Sequence, residues 1–150
     1  MNIEQIKNKS MLACKKISDT ESSIWYTTEW NICSHIQNNL NKMFLEHSVD
    51  VELIKKDRRR PDMVIHKRGN NLDNLVVFQV KKNPSTDEIK KDLDKIRETF
   101  FNEPYSYKFG VFISVGKLPD TLPSFDINKI GIIEVYGWVA EEDIENKVFK

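Results

Sequence analysis

Residues 61–81 of this chain read PDMVIHKRGNNLDNLVVFQVK and contain two strand-like segments separated by a turn-like one. Asp62–His66 follows Pro61, and Leu75–Lys81 is rich in β-branched and aromatic residues, which is typical of buried strands. Arg68-Gly69-Asn70-Asn71 between them has the composition of a turn. The stretch therefore predicts a β-hairpin, which the strand-like segment before it extends towards a meander.

The second strand of this hairpin places polar groups where an apolar face is expected. Side chains alternate along a strand, so Val77, Gln79 and Lys81 share one face. Burying an amide and an ammonium costs free energy unless they find partners. Asp62 begins the preceding strand, and a hairpin brings it near Gln79. We therefore predict a polar site formed by Asp62, Gln79 and Lys81.

Before the hairpin, the pattern predicts a helix from about Glu21 to Glu46 and then a strand at Val49–Ile54. The helix carries an apolar stripe formed by Trp25, Ile32, Ile36, Leu40 and Met43. Glu29 also falls on this stripe. The first twenty residues are polar with scattered apolar positions. A short helix and a loose arm both remain open for them.

After the hairpin, Ser85 and Glu88 have the spacing of a capping box that begins an amphipathic helix. Its apolar positions are Ile89, Leu93, Ile96 and Phe100. A buried strand at Lys108–Gly116, a loop through Pro119 and Pro123, a strand at Ile130–Tyr136 and a polar tail at Glu141–Lys150 complete the chain. Helices on both sides of a mixed central sheet would bury every apolar face, so we predict one α/β domain over residues 1–150.

Composition narrows the function classes. Equal numbers of basic and acidic residues, 23 of each, argue against a binder that holds nucleic acid by overall charge. Cys14 and Cys33 are far apart and are expected to be reduced thiols, with a disulfide as the alternative. No secretory leader or apolar segment long enough for a bilayer is found, so we expect a soluble cytoplasmic protein without membrane contact. Zinc-ligand spacing, a phosphate-binding loop and a serine nucleophile elbow are absent from the sequence.

Pro61-Asp62 followed by Gln79-Val80-Lys81 at the end of the next strand resembles the signature of the PD-(D/E)XK nuclease superfamily, in a Gln-x-Lys variant. The family core is a helix, a three-stranded meander, a helix and a strand, and the resemblance covers roughly residues 20–116. It implies a restriction-endonuclease-like fold, with element order α-β-β-β-α-β and a further C-terminal strand. It also implies a Mg²⁺-dependent endonuclease that hydrolyses DNA phosphodiesters, with Mn²⁺ as a substitute cation.

The resemblance assigns roles residue by residue. Asp62 would bind the metal, Gln79 would occupy the place of the second acidic ligand, and the Val80 carbonyl would complete the inner sphere. Lys81 would orient the attacking water and stabilise charge on the phosphate. Some family members add a glutamate from the first helix, and Glu29 is the candidate for this role. Each residue also has a structural explanation: a strand entry for Asp62, a solvated strand end for Lys81 and the edge of the helix stripe for Glu29.

Position 79 departs from the family pattern. A glutamine oxygen can bind Mg²⁺ but brings no charge, so metal affinity should fall unless Glu29 or another carboxylate compensates. The departure leaves a second hypothesis open: a weak or inactive nuclease fold that binds nucleic acid or a partner protein.

Basic residues are concentrated around the hairpin and are expected to flank the site and hold the DNA backbone. They are Arg58, Arg59, Arg60, Lys67, Arg68 and Lys82. A solvated loop is the alternative explanation for the run before Pro61. A homodimer is compatible with cutting two strands, whereas DNA or RNA preference and the shape of the substrate stay open.

Overall fold

The computed structural model describes residues 1–51, 61–68 and 73–136, together with the backbone of 139–141 and 148–149. The α-helices are α1 (Ile3–Thr20), α2 (Glu29–Asn41) and α3 (Thr86–Lys95). The strands are β1 (Ser48–Val51), β2 (Met63–His66), β3 (Val76–Lys82), β4 (Phe109–Val115), β5 (Thr121–Leu122), β6 (Ile130–Tyr136), β7 (Val139–Glu141) and β8 (Val148–Phe149). The chain is α/β, with a mixed sheet flanked by helices, as the sequence predicts.

The main sheet has six strands in the order β1-β2-β3-β4-β6-β7. β1, β2 and β3 form an antiparallel meander, and β4 and β6 then add parallel to β3. β7 closes the other edge antiparallel to β6, and β5 pairs with β8 in a small separate sheet. The predicted hairpin and its extension into a meander are confirmed. Residues 52–54 of the first predicted strand and 69–71 of the predicted turn lie outside the described residues.

Alternation along the strands gives the sheet two apolar faces, each covered by helices. On one face, Val76, Phe78 and Val80 join the core beneath α1 and α2. On the other, Val77 joins the core beneath α3. The buried apolar residues of α3 and its last, π-helical turn are the four predicted from the sequence: Ile89, Leu93, Ile96 and Phe100. The site described below lies on the α3 face, where the apolar core ends.

The N-terminal region differs from the single helix predicted over residues 21–46. The first twenty residues contain α1, which starts at a capping box between Asn2 and Gln5. A 3₁₀ turn at Ser22–Tyr26 follows, and α2 begins only at Glu29, where the Thr28 side chain accepts from the N–H of Asn31. Apolar periodicity continues across this break because Trp25 of the 3₁₀ turn is also buried. The caps, rather than the periodicity, set the helix boundary.

The predicted α3 capping box is confirmed, since Ser85 and Glu88 exchange side-chain and backbone hydrogen bonds. Three strands were missed: β5 lies within the predicted loop, β7 follows the strand that was predicted to be the last, and β8 lies within the predicted polar tail. Both cysteines are buried and unbridged, and burial raises the pKa of the Cys14 thiol to about 12. Within the described residues, no helix has the length and apolar character that crossing a bilayer requires.

Candidate active site at the end of strand β3

Asp62 is fixed at the start of β2 by two hydrogen bonds to β3. Its N–H donates to the Phe78 carbonyl at 3.2 Å, and its Oδ2 accepts from the Val80 N–H at 2.8 Å. The carboxylate thus occupies the position of a backbone acceptor in the ladder. Because the two contacts lie on either side of Gln79, Asp62 and Gln79 are neighbours, as the sequence predicts.

Gln79 is buried, with only 3% of its surface exposed. Among the described residues, its Nε2 finds no hydrogen-bond partner. An unpaired buried amide costs roughly 1–3 kcal/mol, so a group retained in this state calls for an explanation. A ligand that brings a hydrogen-bond acceptor, such as a phosphate oxygen, would supply one.

Lys81 lies on the same face, one period further along β3, and is partly exposed. Its Nζ is 3.9 Å from Oδ2 of Asp92, a buried carboxylate on α3. Lys95 approaches the other oxygen of Asp92 at 4.0 Å. Asp92 therefore sits between two ammonium groups and draws Lys81 towards α3.

The oxygen donors of this site suit a sparsely coordinated hard cation. Mg²⁺ takes oxygen ligands, keeps several waters and needs only one or two carboxylates. Asp62 supplies one carboxylate, and the Gln79 amide oxygen adds a neutral donor. The N–H and C=O of a strand residue point to the same side, so the Val80 carbonyl also faces β2 and Asp62. In the described part of the chain, no group of three or more His, Cys, Asp or Glu side chains is arranged to hold a metal.

Glu29 is placed differently from its prediction. It follows the apolar spacing of α2, but it is the first residue of the helix and its side chain is exposed. The buried stripe begins only at Ile32, because the first turn extends past the packed part of the helix. Lys82 ties this helix start to the end of β3, since its Nζ donates to the Thr27 carbonyl at 2.9 Å. Glu29 therefore belongs to the same end of the sheet as Lys81 but not to its buried cluster.

Lys67 and Arg68 do not flank Asp62. The chain runs along β2 away from Asp62, so Arg68 lies roughly 20 Å from it along the strand. Both cations are already paired: Arg68 with Asp50 at 2.5 and 3.1 Å, and Lys67 with Asp73 at 3.0 Å. The sequence could not reveal this, because Asp50 and Asp73 reach them only through folding. Arg58, Arg59 and Arg60 lie outside the described residues.

Three buried polar residues near the site were missed by the sequence analysis: Asp92, Ser114 and Glu134. Ser114 pairs with Lys81 on one side and with Glu134 on the other, so they form a row across β3, β4 and β6. Ser114 Oγ donates to the Gly116 carbonyl at 2.7 Å, and Glu134 accepts from the Leu118 N–H at 2.6 Å. The sequence signal for Ser114 and Glu134 was a single polar residue within an otherwise apolar strand.

The comparisons with known proteins leave the family undecided: no protein-family model, no curated protein and no solved structure matches this chain.

Proposed function

We propose that this protein is a Mg²⁺-dependent deoxyribonuclease with a restriction-endonuclease-like fold. The observation that carries the proposal is the Asp62 carboxylate held on the Val80 N–H, between the strand positions of Gln79 and Lys81. The carboxylate thus lies at the strand end that also carries the Gln79 amide and the Lys81 ammonium. The meander, the following helix and the parallel strand β4 support it, because they have the order that the motif resemblance implies.

Each residue has a chemical task in this proposal. Asp62, the Gln79 amide oxygen and the Val80 carbonyl would hold the cation. Glu29 is not among these ligands, because α2 packs on the sheet face opposite to Gln79 and Lys81. When bound, the cation neutralises charge on the phosphate and lowers the pKa of bound water. Lys81 donates to the phosphate or to the attacking water, and Asp92 positions the Lys81 ammonium. The charge-stabilising groups are thus gathered on the α3 face.

The test is cleavage of supercoiled plasmid and of linear single-stranded DNA in Mg²⁺, Mn²⁺ or EDTA. Asp62→Asn and Lys81→Ala are compared with the matched controls Asp120→Asn and Lys117→Ala, which alter exposed residues. Metal-dependent cleavage that is lost only in the first pair supports the proposal. Full cleavage by both site variants would contradict it.

Gln79 favours a second candidate function, that of a nuclease fold that binds DNA or a partner protein without cleaving. A neutral amide in place of an acidic ligand removes one negative charge from the cation site. Two results together would establish this alternative. The folded natural protein cleaves neither DNA substrate with Mg²⁺ or Mn²⁺, and the Gln79→Glu variant does cleave.

A further inference from the structure

A cavity of about 380 Å³ opens where β3, β4 and β6 end, on the sheet face opposite to Gln79. Its lining includes Trp25 and Tyr26 of the 3₁₀ turn, Lys82 of β3, Gly116 after β4 and Val135 of β6. The crevice outside the carboxyl ends of sheet strands is where α/β proteins commonly bind ligands. No part of the mechanism proposed above uses this cavity.

Lys82 brings a positive charge to the cavity. Its side chain is half-buried, and its Nζ donates to the Thr27 carbonyl at 2.9 Å. Over the described ranges, Lys82 makes no ion pair with a carboxylate. A carbonyl is neutral, so no carboxylate of the described residues compensates the charge of this half-buried ammonium. An anionic group with oxygen acceptors, such as a phosphate, is the complementary ligand.

Aromatic rings supply the second recognition element. Tyr26 is 66% exposed at the cavity, and Trp30, at the start of α2, is 51% exposed. Trp25 is buried beside them and donates its indole N–H to Ser18 Oγ at 3.0 Å. An exposed ring next to a cation is the arrangement that single-strand binders use, since a base stacks on the ring while the cation holds the backbone.

We propose that the cavity binds one unpaired nucleotide of a DNA strand, with its base against Tyr26 and its phosphate at Lys82. The volume lies near the lower end of ligand pockets, roughly 300–1,000 Å³, and suits one nucleotide rather than a duplex. Lys81 and Lys82 are consecutive and face opposite sides of the sheet, so the strand continues from the cavity towards Lys81. This step rests on the proposed nuclease function and names its substrate class: DNA with unpaired nucleotides.

Binding is measured in EDTA, where cleavage does not interfere, by the fluorescence anisotropy of a labelled ten-thymidine strand and of a ten-base-pair duplex. We expect the single strand to bind at least tenfold more tightly than the duplex. Tyr26→Leu and Lys82→Gln should each weaken this binding about tenfold, whereas Tyr26→Phe keeps it. Lys82→Gln should also reduce the salt-dependence slope by about 0.7, and Lys117→Gln is the matched control.

Equal affinity for strand and duplex, or wild-type binding by both Tyr26→Leu and Lys82→Gln, would overturn the inference. Free deoxythymidine monophosphate that competes as strongly as the strand would also overturn it, because the ligand would then be a nucleotide and not a strand. Asp120→Asn, which alters an exposed carboxylate, is expected to bind like the natural protein. Tyr26-dependent binding without any cleavage leaves the cavity proposal standing and refutes the nuclease proposal. Cleavage by a protein whose DNA binding does not depend on Tyr26 refutes the cavity proposal and leaves the nuclease proposal standing.

Discussion

The two ends of the β2–β3 hairpin differ in how their charged groups are paired. At the end where β3 begins, His66 and Arg68 both contact Asp50, and His47 and Lys67 both contact Asp73. At the end where β3 finishes, the Gln79 amide nitrogen has no hydrogen-bond partner within the part of the chain that the structure describes. Closed ion-pair clusters stabilise a fold but offer little to a ligand, whereas a buried polar group without a partner invites one. The comparison predicts that substitutions at the first end change stability and that those at the second change activity.

The largest expected effect is on cleavage. Lys81→Ala should lower the rate of plasmid cleavage about 10²–10³-fold, because it removes a group aimed at the developing charge. The unfolding midpoint in urea should change little, since Lys81 is partly exposed and its ion pair with Asp92 is long. Lys117→Ala is the control for loss of an exposed ammonium. Loss of stability in parallel with activity would assign Lys81 a structural role instead.

The next effect is on the metal. Gln79→Glu should bind Mg²⁺ at least tenfold more tightly, since a second carboxylate would face the cation. Without metal the same variant should be less stable by about 1–3 kcal/mol, because a buried carboxylate beside Asp62 is desolvated and repelled. Thermal unfolding in EDTA and in Mg²⁺ measures both. A melting temperature that Mg²⁺ raises equally in the natural protein and the variant would contradict a cation site at Gln79.

A smaller effect is expected at the paired end. Asp50→Asn should lower the free energy of unfolding by about 1 kcal/mol, since Asp50 is partly exposed and loses its ion pair with Arg68 and a carboxylate contact with His66. Cleavage should stay within twofold of the natural protein. Urea unfolding measures the stability, and plasmid cleavage measures the activity. A large loss of activity in a folded Asp50→Asn protein would contradict the proposed difference between the two ends of the hairpin.

The smallest effect is the pH dependence of stability. The hydrogen bond from Arg68 lowers the pKa of Asp50, and the hydrogen bond from Lys67 lowers the pKa of Asp73. A carboxyl whose pKa is lower in the folded state stabilises the fold fully above its unfolded value of about 4. This contribution is lost as the pH falls through the folded-state pKa. Urea unfolding between pH 6 and pH 3 should therefore show a decline that Asp50→Asn and Asp73→Asn reduce.

The strands around the site were predictable, and the helices before it were less so. Local composition fixes β2 and β3, because β-branched and aromatic residues between turn residues favour strands regardless of distant contacts. The start of α2 was wrong because the buried Trp25 extends the apolar period across a non-helical turn. Glu29 was consequently placed within the buried stripe, although it is the first residue of α2 and is exposed.

Contacts between functional side chains of one hairpin could be predicted from the sequence, but contacts between side chains of distant elements could not. Asp62 and Gln79 are linked by a short connection, so hairpin geometry alone predicts that they meet. Asp92 approaches Lys81 only because α3 crosses back over the sheet. The pairing of Arg68 with Asp50 likewise depends on the position of β1 beside β2.

The sequence by itself determined the α/β class, the meander, the α3 cap and the meeting of Asp62 with Gln79, because these follow from local propensity and short-range pairing. Only the tertiary structure decided which charges are available. It closed Lys67 and Arg68 into ion pairs, buried Asp92 against Lys81 and left Lys82 beside a cavity without a carboxylate partner in the described chain. Whether a charge is free depends on which side chains folding brings within about 4 Å of it, and spacing along the chain does not encode that for distant elements.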